Sequence, residues 1–304
     1  MAPPVGGALF PGDHAPFPTR GSPFKRGMSI ATSNRVQPSF DAQREDSPPS
    51  RAIKSIVLAI LISVIFASPV WAAPVEVRFL EGVTRGFLVL RSTTGQIMGH
   101  GELLQTAHPD RVDSRMIFRF KDGSLYDEKV VFSQQHVFML LSYHLVQRGP
   151  SFPEPMDVSL DRKQGRYQVK SGEKGREKDS SGTIELPPDV YNGMTSMLLK
   201  NLTRGSSESV HYIAFTPTPR LIKLDLVPVG EQKLQIGEEE GQGTRFAIKP
   251  RLGGVMSLVA ALMGKTPADY ECVIWTKDLP AFVRCDGPLR LKGPVYRIEL
   301  TNPR

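Results

Sequence analysis

The fold is decided by residues 115–132, which read RMIFRFKDGSLYDEKVVF. In the first half, Met116, Phe118 and Phe120 alternate with charged residues, which is the period of a strand with one buried face and one wet face. The Asp122-Gly123 pair then supplies the residues that a tight β-hairpin turn prefers. The stretch therefore predicts two antiparallel strands whose apolar side chains share one core.

The same pattern recurs along the chain and sets the fold class. Apolar and charged residues alternate again at 222–226 and at 296–300, and turn pairs such as Thr94-Gly95 and Gln164-Gly165 separate the apolar runs. Closely spaced strands joined by short turns form an antiparallel meander. We therefore predict a mainly β protein, a curved antiparallel sheet that is half-barrel-like and wraps around one or two helices.

Three segments depart from the strand pattern. Residues 188–202 carry apolar residues near helical spacing after Pro188, a residue that suits a helix start, and predict a helix that covers the sheet. Residues 254–264 read GVMSLVAALMG and are interpreted as a buried core helix or, alternatively, as a lid over an apolar pocket or a surface that touches lipid. Residues 171–182 are polar and predict a mobile loop.

An apolar segment near the N-terminus indicates export. Residues 55–72 read SIVLAILISVIFASPVWA, carry no charge and follow Arg51 and Lys54. A basic flank, an apolar run and small residues at the exit are typical of a signal peptide, and we place its cleavage after Ala72. The alternative is an uncleaved anchor, since a spanning helix needs about 17–25 residues.

The export signal sets the predicted domain organisation. Residues 1–54 are rich in Pro and Gly without hydrophobic periodicity, which predicts a disordered lead. Residues 73–304 then form a single secreted β-rich domain in the periplasm or cell envelope. We expect membrane contact only transiently, through the signal or at the periphery.

The charge balance argues against a nucleic-acid partner. The chain carries 38 basic and 31 acidic residues, a net charge of +7. Nucleic-acid binding needs a concentrated basic face, whereas Arg115, Arg119 and Lys121 are interleaved with apolar residues as on a solvated strand face. We predict no nucleic-acid partner.

The two cysteines give a specific expectation. Cys272 and Cys285 flank a predicted hairpin turn at 277–280, so they face each other across two strands, within the range of a disulfide. An oxidising compartment favours the bridge, and two buried free thiols are the alternative. Their spacing matches neither a zinc site nor a CxxC redox motif, and we predict no metal.

Three motifs carry a resemblance to a known family. They are GFLVLRSTTGQIMGHGELLQ at 86–105, LPPDVYNGM at 186–194 and YECVIWTKDLPAFVRCDGPLRLKGPVYRIEL at 270–300. With them, most of 78–301 resembles an uncharacterised family of secreted bacterial domains of unknown function. The resemblance implies a curved antiparallel sheet around a helix, similar in outline to the half-barrels of periplasmic lipoprotein carriers. It implies no activity and no functional residue.

Catalytic patterns are weak. The tripeptide Gly264-Lys265-Thr266 resembles the end of a phosphate loop, but that loop needs glycine where this chain has Val259. Asp127 and Glu128 are neighbours in a predicted strand and therefore point to opposite faces. We predict no catalytic residue and no cofactor, and the sequence favours a protein that is not an enzyme.

Two functions follow from the compartment and the fold. The first is an envelope binding module in which the sheet holds an apolar or lipid-linked ligand, lined by Phe118, Phe138, Leu258 and Leu262. The alternative is a structural or protein-interaction domain of the envelope, with a protein partner and no small ligand.

Overall fold

A computed structural model describes residues 74–172, 175, 177–216, 218–251, 270–290 and 293–301. The predicted lead, the signal with its cut after Ala72 and the apolar stretch 254–264 lie outside the described residues. Within the described ranges, no helix combines the length and apolar character needed to cross a membrane.

The described residues form strands and one short helix. The elements are Thr84–Ser92 (β1), Ile97–Ala107 (β2), Val112–Phe120 (β3), Leu125–Gln134 (β4), Phe138–Arg148 (β5), Met156–Asp161 (β6), Arg166–Ser171 (β7), Lys178–Thr183 (β8), Thr195–Asn201 (α1), Glu208–Ala214 (β9), Arg220–Ile236 (β10), Glu239–Arg251 (β11), Tyr270–Trp275 (β12), Ala281–Pro288 (β13) and Val295–Leu300 (β14).

The strands build one antiparallel sheet of 14 strands in the order β8-β7-β6-β5-β4-β3-β2-β1-β14-β13-β12-β11-β10-β9. The first and last strands in the chain pair in the middle of this order, where Leu88 faces Leu300. β8 and β9 are the two ends of the sheet. The mainly β, antiparallel fold class is confirmed.

The sheet is curled. Tyr143 of β5 stacks on Phe215, which directly follows β9, with ring centroids 5.4 Å apart and planes within 5° of parallel. β5 and β9 are far apart in the strand order, so only a strongly curved sheet brings these rings together. Curvature of this kind follows from the right-handed twist of strands.

The predicted hairpin at residues 115–132 is present. Arg119 faces Leu125 across β3 and β4, and the Gly123 amide donates to the Phe120 carbonyl at 3.1 Å. Gly123 has φ of 83°, a conformation that glycine adopts without steric cost. The turn chemistry read from Asp122-Gly123 therefore fixes the register of both strands.

Two segments that lie outside the named strands fill the interior, and together we call them the plug: residues 74–81 and 187–202. The Val75 carbonyl accepts from the Phe138 amide at 2.9 Å, and the Tyr191 amide donates to the His211 carbonyl at 3.0 Å. The Tyr191 hydroxyl accepts from the Val75 amide at 2.9 Å and so joins the two segments. The plug thus extends the backbone hydrogen bonding of β5 and β9.

The predicted helix at 188–202 is wrong in its first half. The α-helix covers only Thr195–Asn201. Val190 instead forms a parallel bridge with His211 of β9, and Gly193 turns the chain at φ of 71°. β9 is an end strand of the sheet, and its free edge offers hydrogen-bond partners to the backbone around Val190. This pairing satisfies the backbone groups there in place of a helical turn, so the tertiary context overrides the local pattern.

The predicted polar loop at 171–182 is also partly strand. Lys178–Thr183 pairs with β7, and Lys178 faces Ser171. A strand at the end of a sheet is exposed on one side and needs few apolar residues, so hydrophobic alternation does not reveal it.

The outer face of the sheet is charged, and the inner face is apolar. Arg91 pairs with Glu299 at 3.0 Å, and Arg245 pairs with Glu271 at 2.7 Å. Arginines and carboxylates alternate in this way across β1, β14, β13, β12 and β11. Single exposed ion pairs contribute little to stability, but this alternation of arginines and carboxylates identifies the solvent-exposed face of the sheet.

The two cysteines face each other on β12 and β13 and form a disulfide, with their Cα atoms 4.1 Å apart. The predicted pairing of Cys272 with Cys285 is therefore confirmed. The bridge lies on the inner face, where Cys272 is buried within the core cluster.

Candidate functional site

The predicted ligand residues lie in separate places. Phe118 and Phe138 are both fully buried, the first beside Tyr126 and the second beside Phe132. Phe118 faces position 126 of β4, and Phe138 faces position 134 of the same strand. These two β4 positions lie about 27 Å apart at a rise of about 3.4 Å per residue. Leu258 and Leu262 lie outside the described residues, and the ligand role of all four stays a prediction.

A buried carboxyl group lies in the interior. Glu128 of β4 accepts a hydrogen bond from the Tyr143 hydroxyl at 2.8 Å. Burial raises the pKa of the Glu128 carboxyl, and its hydrogen bonds to tyrosine hydroxyls only partly oppose that rise. Burial likewise raises the pKa of Tyr126 and Tyr143 well above the ordinary value. Strongly shifted groups of this kind mark candidate functional sites.

The plug covers this carboxyl group closely. A side chain at Gly193 would meet Val130, and its Cβ would lie 3.2 Å from Glu128 Cδ. The positive φ of Gly193 also disfavours any other residue there. Gly193 of the plug therefore packs against the Glu128 carboxyl group, whose hydrogen bond to Tyr143 joins β4 to β5.

A second buried acid lies beside β9. The carboxylate of Asp189 is fully buried, and its Oδ2 lies 2.7 Å from Nδ1 of His211. The other oxygen, Oδ1, has no hydrogen-bond partner. An aspartate that orients a histidine is one half of a catalytic triad, but the contacts of His211 in the described chain include no serine, threonine or cysteine nucleophile. The pair instead fastens the plug to β9.

The outer face of β2 to β6 carries charge in three rows that run across the strands. In register, these are a basic row, an acidic row and a second basic row: Arg115, Lys129 and His144; Glu102, Asp127 and Asp157; and His100, Arg119 and Arg148. Arg115 binds Asp127 at 2.7 Å, and His144 binds Asp157 at 2.9 Å. Glu102, the third member of the acidic row, binds Arg85 of β1 at 2.9 Å. Within the described residues, the acidic row therefore pairs with Arg115, His144 and Arg85 and makes no ion pair with the second basic row.

An open depression of about 530 Å³ adjoins the second basic row. Its lining includes the apolar residues Ile117 and Leu125, the arginines Arg115, Arg119 and Arg148, and the carboxylate of Asp127, which Arg115 binds. Arg119 and Arg148 flank Leu125 on neighbouring strands, and neither has an ion pair with another described residue. Alternation in the sequence assigned Arg115 and Arg119 to a solvated strand face, but only the register of three strands brings Arg148 beside them.

Metal-ligating residues do not converge in the described part of the chain, where no group of three His, Cys, Asp or Glu side chains is placed to hold an ion.

Comparison with known proteins yields one structural similarity. No protein-family model matches the sequence, and no curated protein matches it. The chain is similar to the crystal structure of a β-barrel-like protein of domain of unknown function DUF1849 from Brucella abortus, at 11% identity and a TM-score of 0.41, over 74% of this chain and 98% of that one. At this identity and TM-score the similarity carries no conclusion about function.

Proposed function

We propose that the protein is an interaction domain of the cell envelope, without enzymatic activity, that binds a protein partner through its exterior. The observation that carries the proposal is the filled interior. Tyr191, Met194 and Leu198 of the plug are 0% exposed and belong to the same buried cluster as the inner residues of the sheet. Space that the chain's own segments occupy does not take up a ligand unless they move.

The plug is held in place by buried polar contacts. The Oδ1 atom of Asn201 accepts from the amides of Arg78 and Phe79 at 2.7 Å each, and its Nδ2 donates to the Met197 carbonyl at 2.8 Å. Breaking buried hydrogen bonds of this kind leaves unsatisfied groups that cost about 1–3 kcal/mol each. A ligand inside the sheet would have to offset these losses.

A protruding ribbon offers the partner surface. β9 pairs with β10 only up to Leu226, and β12 pairs with β11 only from Gly243 to Ile248. Among the described residues, β10 therefore has a free edge beyond Leu226, and from Lys233 and Gln242 to their turn β10 and β11 continue as a two-stranded ribbon. Val229 on the free edge and Ile236 in the ribbon are each 44% exposed. Exposed strand edges accept an added strand from another protein.

The binding of an apolar or lipid-linked ligand is the second candidate. Its specific support is the apolar sequence at 254–264, which lies outside the described residues. Native mass spectrometry of the purified full chain separates the two candidates. We expect the mass of the protein alone, and a lipid bound in a one-to-one ratio would contradict the interaction proposal.

The ribbon provides the direct test. Leu234 faces Gly241, so replacing residues 235–240 with Asn-Gly closes a shorter hairpin at an existing pair. In envelope cross-linking, we expect the shortened chain to fold and to lose the partner that the full chain captures. A control with Glu238→Gln, Glu239→Gln and Glu240→Gln keeps the ribbon length and removes its charge. Retention of the partner by the shortened chain would refute the proposal.

A further inference from the structure

We propose that the depression on the outer face binds a phosphate-type anion between Arg119 and Arg148. The site is independent of the ribbon and of the interaction proposal. Its chemistry follows from the two unpaired guanidinium groups, which are fixed in register on β3 and β5 with Leu125 between them.

The surrounding carboxylates are already engaged. Asp127 makes a bidentate contact with Arg115, at 2.8 and 2.7 Å. Asp122, in the adjoining turn, accepts from the Ser124 amide at 2.9 Å and from the Ser151 hydroxyl at 2.7 Å. The Arg115 contact also lowers the pKa of Asp127, which keeps that ion pair formed at neutral pH. The three carboxylates of the acidic row have other partners, Arg85 for Glu102, Arg115 for Asp127 and His144 for Asp157, and no described carboxylate forms an ion pair with Arg119 or Arg148.

The geometry suits a compact anion with several oxygens. Arg119 and Arg148 lie two strands apart, about 10 Å at a strand spacing of about 4.8 Å. Long arginine side chains close this gap around one group, and planar guanidinium forks donate in pairs to phosphate oxygens. The apolar floor formed by Ile117 and Leu125 excludes water on one side and strengthens such contacts.

Two sources of this chemistry exist, a soluble phosphate and a lipid whose headgroup is an anionic phosphate monoester, such as phosphatidic acid. Phosphatidylcholine, whose phosphate is neutralised by its choline group, serves as the reference lipid. Binding of the full chain to inorganic phosphate and to pyrophosphate, measured by calorimetry, tests the first source. Co-sedimentation with phosphatidylcholine vesicles, with and without phosphatidic acid, tests the second. Binding in either arm supports the site and identifies its source.

The variants Arg119→Gln and Arg148→Gln test the residues themselves. We expect each to weaken binding about tenfold, because each removes a charge-assisted contact, and we expect binding to weaken as salt is added. Arg166→Gln is the matched control, since Arg166 is an exposed arginine on β7 outside the depression.

Three results would overturn the proposal. One is the absence of binding to both phosphate probes and to vesicles that contain phosphatidic acid. Another is equal binding to both vesicle types without any phosphate binding. The third is a loss in Arg166→Gln as large as the loss in Arg119→Gln and Arg148→Gln, which would indicate attraction by net charge alone.

Discussion

Glu128 is a buried carboxyl group whose protonation is linked to stability. Its ordinary pKa is 4.5, and burial raises the pKa in the folded chain. As the pH rises above the ordinary value, the unfolded chain loses this proton while the folded chain keeps it. The contribution of Glu128 to folding is therefore full below that value and is lost as the pH rises through the raised pKa.

Glu128→Gln should remove this pH dependence. The amide oxygen still accepts from the Tyr143 hydroxyl, but no charge has to be buried. We expect the variant to match or exceed the wild type in free energy of unfolding at neutral pH, with a flatter profile as the pH rises above the ordinary carboxyl pKa of 4.5. Urea unfolding across this range measures the difference.

Glu128→Ala provides the contrast. It removes the acceptor and leaves the Tyr143 hydroxyl buried without it, a loss of about 1–3 kcal/mol. A Gln variant clearly less stable than the wild type at neutral pH would show that the carboxylate itself stabilises the fold.

At the residue scale, the sequence predicted which face a side chain takes but not what it meets. Alternation correctly placed Asp127 and Glu128 on opposite faces. The Arg115 partner of Asp127 comes from β3, and the Tyr143 partner of Glu128 comes from β5. These partners depend on the register of separate strands, which a local pattern does not contain.

Among the elements, the β12–β13 hairpin carries the covalent bond. Its cysteines are separated by 13 positions, and closing a loop of about 15 residues stabilises a chain by about 3 kcal/mol in the chain-entropy account. We expect the double variant Cys272→Ala and Cys285→Ala to lose about 2–4 kcal/mol in urea unfolding. Reductant should lower the free energy of unfolding of the wild type by a similar amount and leave that of the variant unchanged. Equal stability of all samples would contradict the prediction.

The plug should be as sensitive to truncation as any part of the core. Leu198 of α1 is 0% exposed, so Leu198→Ala removes buried methyl groups and leaves a cavity, at a cost of about 2–5 kcal/mol. Leu279→Ala makes the same change at a side chain that is 72% exposed, and its effect should stay within about 0.5 kcal/mol. Similar losses in both variants would show that the plug does not belong to the cooperative core.

The elements that the sequence predicted well are the local ones. The Asp122-Gly123 hairpin and the cysteine hairpin depend on turn residues and nearby partners. The helix at 188–202 was extended too far because Val190 pairs with His211, which lies beyond α1 and the loop that follows it. Local periodicity does not reveal a competing partner of this kind.

At the scale of the molecule, Arg162 connects separate parts of the curved sheet. Its guanidinium donates to the carbonyls of Leu140, Leu186 and Pro187 at 2.6, 3.2 and 2.8 Å. Leu140 belongs to β5, whereas the other two lead into the plug segment that pairs with β9. One side chain thus joins parts of the sheet that the strand order separates.

Arg162→Lys should loosen that junction selectively, because an ammonium group lacks the planar fork and cannot reach all three carbonyls. We expect faster hydrogen exchange at the amides of Tyr191 and His211, with little change at Val273 of the distant hairpin. Exchange measured by mass spectrometry on the full chain checks this, and a uniform increase or no change would refute the role of Arg162 as a junction.

The sequence predicted an antiparallel, curved sheet but not its strand order. The order depends on the pairing of β1 with β14, where Leu90 faces Ile298. Both are ordinary alternating strands, and nothing local to either one specifies the other. The charged rows of the outer face likewise depend on the register of several strands, and the sequence did not predict them because no local pattern specifies that register.

That central pairing has a consequence for the way the chain acquires its structure. Every other neighbour in the strand order is also a neighbour in sequence, so each half of the sheet can form from short-range hairpins. β1 alone waits for a partner more than two hundred positions later, which makes its pairing slow, since long loops must close first. During synthesis β1 remains an open edge until residues 295–300 have emerged, and a ribosome stalled before them leaves a half-sheet that invites pairing with the wrong chain.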